Sequence, residues 1–167
     1  MLSYVAIMGL FGLVATCDGP GVDPWVGDLR DRVTAYNSLA HFARQQYGEP
    51  LACEGSVTTE FDGAKFGIVL LTFPGGVTLE VETMPPETSL VTLTHPAGFG
   101  EGDAVEQAVR AHTAGIGLAV DWEAPEESME GDQVVRRFWD PDPGLNASAS
   151  LFYSEGTLMA VRVSMAL

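Results

Sequence analysis

Three groups of side chains in the 167-residue chain have types and spacings suited to chemistry. His41 precedes Cys53, and a thiol becomes a nucleophile when an imidazole takes its proton. Sequence spacing alone does not bring that pair together. His41 shares the polar side of a predicted helix with Asn37 and Arg44, so the expectation is an unreactive cysteine at a core position. Asp140, Asp142 and Asn146 set side-chain oxygens at alternate positions around two prolines and Gly144, as a short loop wraps calcium. The run lacks the bidentate glutamate of an EF-hand loop, and Asp-Pro-Gly also encodes an ordinary turn. Glu123, Glu126, Glu127, Glu130 and Asp132 gather five carboxylates without a base. Such a run is a solvated loop or a contact for a basic partner, and Arg136-Arg137 just beyond it could neutralise part of it within the fold.

Other chemistries lack their residues. The histidines at 41, 95 and 112 have no metal-site spacing, and two distant cysteines do not make a zinc site. Gly98-Phe99-Gly100-Glu101-Gly102 precedes a predicted helix start, where anions bind, but Glu101, Asp103 and Glu106 already occupy that positive end. There is no G-x-S-x-G, P-loop or H-E-x-x-H. No catalytic residue, cofactor or small-molecule substrate is therefore expected.

Charge narrows the partners. The chain has 8 Lys+Arg against 23 Asp+Glu, a formal net charge of −15. Nucleic-acid affinity comes mostly from basic side chains displacing counterions from phosphate, so a nucleic-acid partner is excluded. Charged residues make up only 19 %, and Lys65 is the single lysine, so the acidity reflects a shortage of bases. Apolar residues at 46 % suffice for the core of one domain.

Residues 1–17, MLSYVAIMGLFGLVATC, carry no charged side chain. The run is shorter than the roughly 20 apolar residues that span a bilayer and suits the apolar region of a secretory leader. Val14-Ala15-Thr16-Cys17, followed by Asp18-Gly19-Pro20-Gly21, resembles the lipobox of bacterial lipoprotein precursors. Thr16 stands where that family has Gly, Ala or Ser, and no Lys or Arg precedes the apolar run. The resemblance implies a leader over 1–16, lipidation of Cys17, a flexible tether over 17–23 and an envelope location. A lipidated Cys17 leaves Cys53 alone; otherwise a Cys17–Cys53 bridge can form in an oxidising compartment.

The elements that must position these residues follow from periodicity. Asp23-Pro24 supplies a helix cap, and Val26, Leu29, Val33, Tyr36, Ala40, Ala43 and Tyr47 predict one helix ending at Gly48. A period of two then predicts four strands as far as His95, with turns at Asp62-Gly63, Pro74-Gly75-Gly76 and Pro85-Pro86. Asp103 and Glu106 predict a capping box opening a second helix that Gly115 ends. Leu118–Trp122 reads as a short strand, residues 123–132 as a loop, and 133–139, 147–153 and 157–166 as strands. The result is a single α+β domain over 24–167, an antiparallel sheet with two helices on one face.

Two short matches suggest a tandem duplication. Gly48–Cys53 aligns with Gly115–Val120 at an offset of 67, and Phe73–Val77 with Tyr153–Thr157 at an offset of 80. The copies are then 24–97 and 101–167, the second with an acidic insertion. In outline this is similar to tandem helix-on-sheet folds such as β-lactamase inhibitory proteins, and to the small lipoproteins that assist outer-membrane β-barrel assembly. The likeness is of topology alone. The leading expectation is an exported, lipid-anchored protein, without catalytic activity, that binds another protein or an envelope component. The alternatives are a cytoplasmic acidic chaperone and, third, a small envelope hydrolase.

Overall fold

The computed structural model describes residues 16–60, 62–84 and 88–166. Residues 1–15 of the expected leader and the Pro85-Pro86 break lie outside them. The helices are α1 (Pro24–Tyr36), α2 (Ser38–Tyr47) and α3 (Asp103–Gly115). The strands are β1 (Ala52–Thr59), β2 (Lys65–Thr72), β3 (Thr78–Met84), β4 (Thr88–Thr94), β5 (Glu126–Glu130), β6 (Gln133–Trp139), β7 (Asn146–Ser154) and β8 (Thr157–Ala166). All eight join one antiparallel sheet in the order β1-β2-β3-β4-β8-β7-β6-β5. The expected α+β class therefore holds.

The strand order reads as a palindrome. Each half runs from helix to a four-stranded meander, with two helices in the first half and one in the second, and the last strands of the two meanders pair with each other, Val91 against Val163. The two halves share one order of strands, but part of the expected alignment is corrected. Phe73–Val77 joins β2 to β3, whereas Tyr153–Thr157 spans the turn between β7 and β8, one hairpin further along. The offset of 67 instead relates β2 to β6 and β3 to β7: 73 + 67 = 140, and Asp140 begins the turn between β6 and β7. The extra length of the second half lies before β5, where ten residues separate α3 from its first strand against four between α2 and β1. The acidic stretch is β5 and its turn, not a loop, because Glu126 to Glu130 pair with Arg137 to Gln133 as the sheet's last strand.

Three other expectations give way to local chemistry. The predicted first helix is two helices, because the Asn37 side-chain oxygen accepts from the N–H groups of Leu39 and Ala40 and caps α2 from an extended backbone. The break turns Tyr36 outward to 84 % exposure, although it fits the apolar period. The capping box does not form: Gly102 caps α3 in the left-handed region, and Glu106 accepts instead from the Tyr153 hydroxyl at 3.4 Å. Leu118–Trp122 is irregular chain; Leu118 and Val120 are buried, and Asp121 N–H donates to the Trp139 carbonyl.

The core lies between the helices and one sheet face. Val69, Leu71, Leu79, Val81, Val91, Leu93, Val161, Val163, Ala149 and Leu151 supply the strand side. Val26, Leu29, Val33, Leu39, Ala40, Ala43, Val105 and Val109 supply the helix side. Two glycines set how closely α1 approaches. A Cβ at Gly67 would meet the Trp25 ring at 1.7 Å, and one at Gly55 would meet Val26 at 2.3 Å. Asp23 starts α1 as predicted, accepting from Trp25 N–H at 2.9 Å and from Lys65 Nζ at 3.0 Å. Both bonds favour the carboxylate and hold its pKa below the usual value.

Candidate functional site

At the N-terminal edge of the sheet, Cys17 is bonded to Cys53 on β1, with Cα atoms 5.5 Å apart. Thr16 pairs with Glu54 in a single antiparallel bridge, and Arg30 of α1 forms an ion pair with Asp18. The expected tether is thus held at both ends, by the bridge and by the Asp23 cap. Of the two states expected for Cys17, the structure has the bridged one, with Cys17 only 3 % exposed. Open clefts of about 280 and 340 Å³ flank this segment, the first lined by Asp18, Asp28 and Asp31, the second by Val22, Gly55 and Val57.

Cys53 and His41 do not form a nucleophile and base. The Cys53 sulfur is in the disulfide, and His41 Nε2 is hydrogen-bonded to the Ala35 carbonyl at 2.9 Å across the break between α1 and α2. The Asp140 carboxylate is a bracket for the chain: one oxygen accepts from Ala119 N–H at 2.8 Å, the other from Asp142 N–H at 2.9 Å. Asp142 in turn accepts from Gly144 N–H at 2.8 Å, and Asn146 opens β7. This is turn chemistry, and no group of three metal-binding side chains occurs among the described residues.

The acids of β5 are partly satisfied from β6. Glu127 pairs with Arg136 at 3.5 Å, Glu130 with Arg137 at 2.9 Å, and Glu126 accepts from the Trp139 indole at 2.7 Å. Glu123 and Asp132 are exposed on either side of β5.

Sequence reasoning missed the sheet face opposite the helices, because membership of that face depends on register. Cross-strand pairs share a face, so the pairings assign it. In the second half it carries Val135, Arg137, Ser148, Ser150, Phe152 and Arg162, and its side chains cover one another. Arg162 lies over the Phe152 ring at 4.9 Å, Arg137 Nε donates to Ser150 Oγ at 3.3 Å, and Val135 and Phe152 are buried. In the first half the face carries Glu54, Ile68, Leu70, Glu80, Glu82, Leu90 and Thr92, all partly exposed. Glu82 sits between Ile68 and Leu90, and Glu80 between Leu70 and Thr92. None of the three glutamates makes an ion pair among the described residues. Burial raises the Glu80 pKa, the Glu82 charge adds to the rise, and Arg162 opposes it.

The buried titratable group elsewhere is His112 on α3, 6 % exposed, whose pKa burial lowers from 6.5 to about 4. His95 closes a ring of aromatics with Tyr47, Phe99 and Phe42, its Nδ1 accepting from Ala97 N–H at 3.1 Å. No protein-family profile, curated protein or solved structure matches this chain.

Proposed function

We propose that this is an exported binding protein of an oxidising compartment, which engages another protein or an envelope component through its sheet. The observation that carries the reading is the Cys17–Cys53 bridge, placed directly after an uncharged sixteen-residue run with the length of a leader's apolar region. In this reading the first residues after the leader are sewn onto the edge strand β1. Cleavage of the leader then leaves a short, anchored N-terminus. The acidic surface, at −15 overall, steers basic partners and repels anionic headgroups.

The test is the intact mass of natively expressed protein from separated membrane and soluble fractions, taken before and after reduction and alkylation. A species lacking the leader that takes up alkyl groups only after reduction supports the reading. A membrane-bound species that begins at Cys17 with added acyl mass would replace the bridge by a lipid anchor. A soluble species that keeps Met1 and alkylates without reduction would overturn export and favour the cytoplasmic chaperone.

A further inference from the structure

We infer that the open face of the first half-sheet is a docking surface for a basic, amphipathic segment of a partner protein, resting on the reading of this chain as a binding protein. Its Lys or Arg residues address Glu54, Glu80 and Glu82, and its apolar residues cover Ile68, Leu70 and Leu90. Across the strands, Glu80 and Glu82 of β3 lie between Ile68 and Leu70 on β2 and Leu90 and Thr92 on β4, and Thr92 Oγ1 accepts from Arg162 Nε at 3.3 Å. Glu80 and Glu82 stand two residues apart on one strand, about 7 Å, a spacing that successive same-side residues of an extended or helical segment can span.

Charge complementarity selects this occupant. Strands β1 to β4 carry one lysine, Lys65, and no arginine, and Lys65 is bonded to Asp23 on the helix side. Apart from Arg162, which reaches in from β8, the face presents only negative charge. A second copy would bring glutamates against glutamates, and a phosphate-bearing surface would be repelled likewise. Two half-buried like charges on one strand are held at an electrostatic cost that an incoming cation removes. The apolar flanks exclude water around that contact and strengthen it. In the second half the same face is already closed by Arg137 and Arg162, so the open ground is confined to β1–β4.

The test uses the full chain with its bridge closed and, as probe, a short synthetic peptide of Lys and Leu only, titrated calorimetrically at physiological ionic strength. A second peptide has Glu in place of Lys. The Glu80→Gln/Glu82→Gln variant is compared with Glu123→Gln/Asp132→Asn, which removes the same charge at exposed positions beside β5. The expected result is binding of the Lys peptide alone, weakened about tenfold by the face variant and less than about twofold by the control. Equal weakening by both variants, no binding to the wild type, or equal binding of the Glu peptide would overturn the proposal. Glutamine removes repulsion without changing size, and coincident melting curves verify that both variants fold. Failure here leaves the intact-mass result untouched, so the docking face and the exported binding protein can fail separately.

Discussion

The two halves of the sheet repeat one strand order yet leave different ground exposed. In the first half two helices cover the inner face, α1 against Gly55 and Gly67, and the outer face stays open with glutamates that make no ion pair among the described residues. In the second half no counterpart of α1 exists, and Met129 and Arg136 are exposed on the helix side. Its outer face is instead closed by Arg137 over Ser150 and Arg162 over Phe152. The edges differ in the same way. The outer edge of β1 is fastened by a disulfide and the Thr16 bridge, whereas β5 presents exposed acids that discourage strand addition by repulsion. One topology thus leaves the outer face open in the first half and closed in the second, where exposure on the helix side is confined to β5 and β6, and side-chain size and charge make the difference.

Removing the covalent fastening should give the largest effect. The bridge closes a loop spanning 36 positions, so Cys17→Ser/Cys53→Ser should lower stability by about 4 kcal/mol on the chain-entropy estimate. Urea unfolding of wild type and variant reads this directly. A loss below about 1 kcal/mol would mean that the N-terminal segment contributes little and that the first half stands on α1 alone.

His112 provides the next test, on the single helix of the second half. Its folded pKa, about 4, lies below the ordinary 6.5, so the unfolded chain binds the proton more readily. Stability from this group is full above about pH 6.5 and is lost as pH falls towards 4, by about 2.5 × 1.36 ≈ 3 kcal/mol. In His112→Leu, urea midpoints between pH 6.5 and 5 should flatten relative to wild type. An unchanged slope would place His112 in contact with water.

Gly67→Ala sharpens the contrast on the inner face. The added methyl would sit 1.7 Å from a Trp25 ring carbon, so α1 must shift, and the cost should be about 2 kcal/mol. At the offset of 67 the matching position on β6 is Val134 (67 + 67), which has no helix like α1 to meet. Val134→Ala should cost about 1 kcal/mol or less, because the side chain is only partly buried. Equal costs in thermal melts would contradict the asymmetry.

Signals carried by one residue and its neighbours were legible in the sequence. The Asp23-Pro24 helix start, the Asp62-Gly63 turn and the alternation of β3 needed no tertiary information. Asn37 hides its effect because an asparagine on the polar side of a helix is ordinary until its side chain finds two N–H groups to cap. The acids of 123–132 read as solvated loop because strand propensity there is poor; pairing with Arg136 and Arg137 overrides it. The open face was illegible for a different reason. Which residues stand beside Glu80 and Glu82 is fixed by the pairing of β2, β3 and β4, and a slip of one residue would send them to the core.

The smallest effect carries a difference of sign between the two halves. Glu130 is paired with Arg137, so Glu130→Gln should lower stability by a few tenths of a kcal/mol, as exposed ion pairs do. Glu80 is half-buried beside Glu82, and its raised pKa means the folded state binds its proton more readily than the unfolded one. The sign is then opposite to that of His112: stability from Glu80 is present at acid pH and lost as pH rises through the folded pKa. Glu80→Gln should accordingly raise the urea midpoint at neutral pH, with the gain shrinking on acidification. The difference between variant and wild-type profiles isolates this residue from His112 and Asp23. A destabilising Glu80→Gln at neutral pH would mean that Arg162 holds Glu80 more strongly than Glu82 repels it, and the first half would then be closed in the same manner as the second.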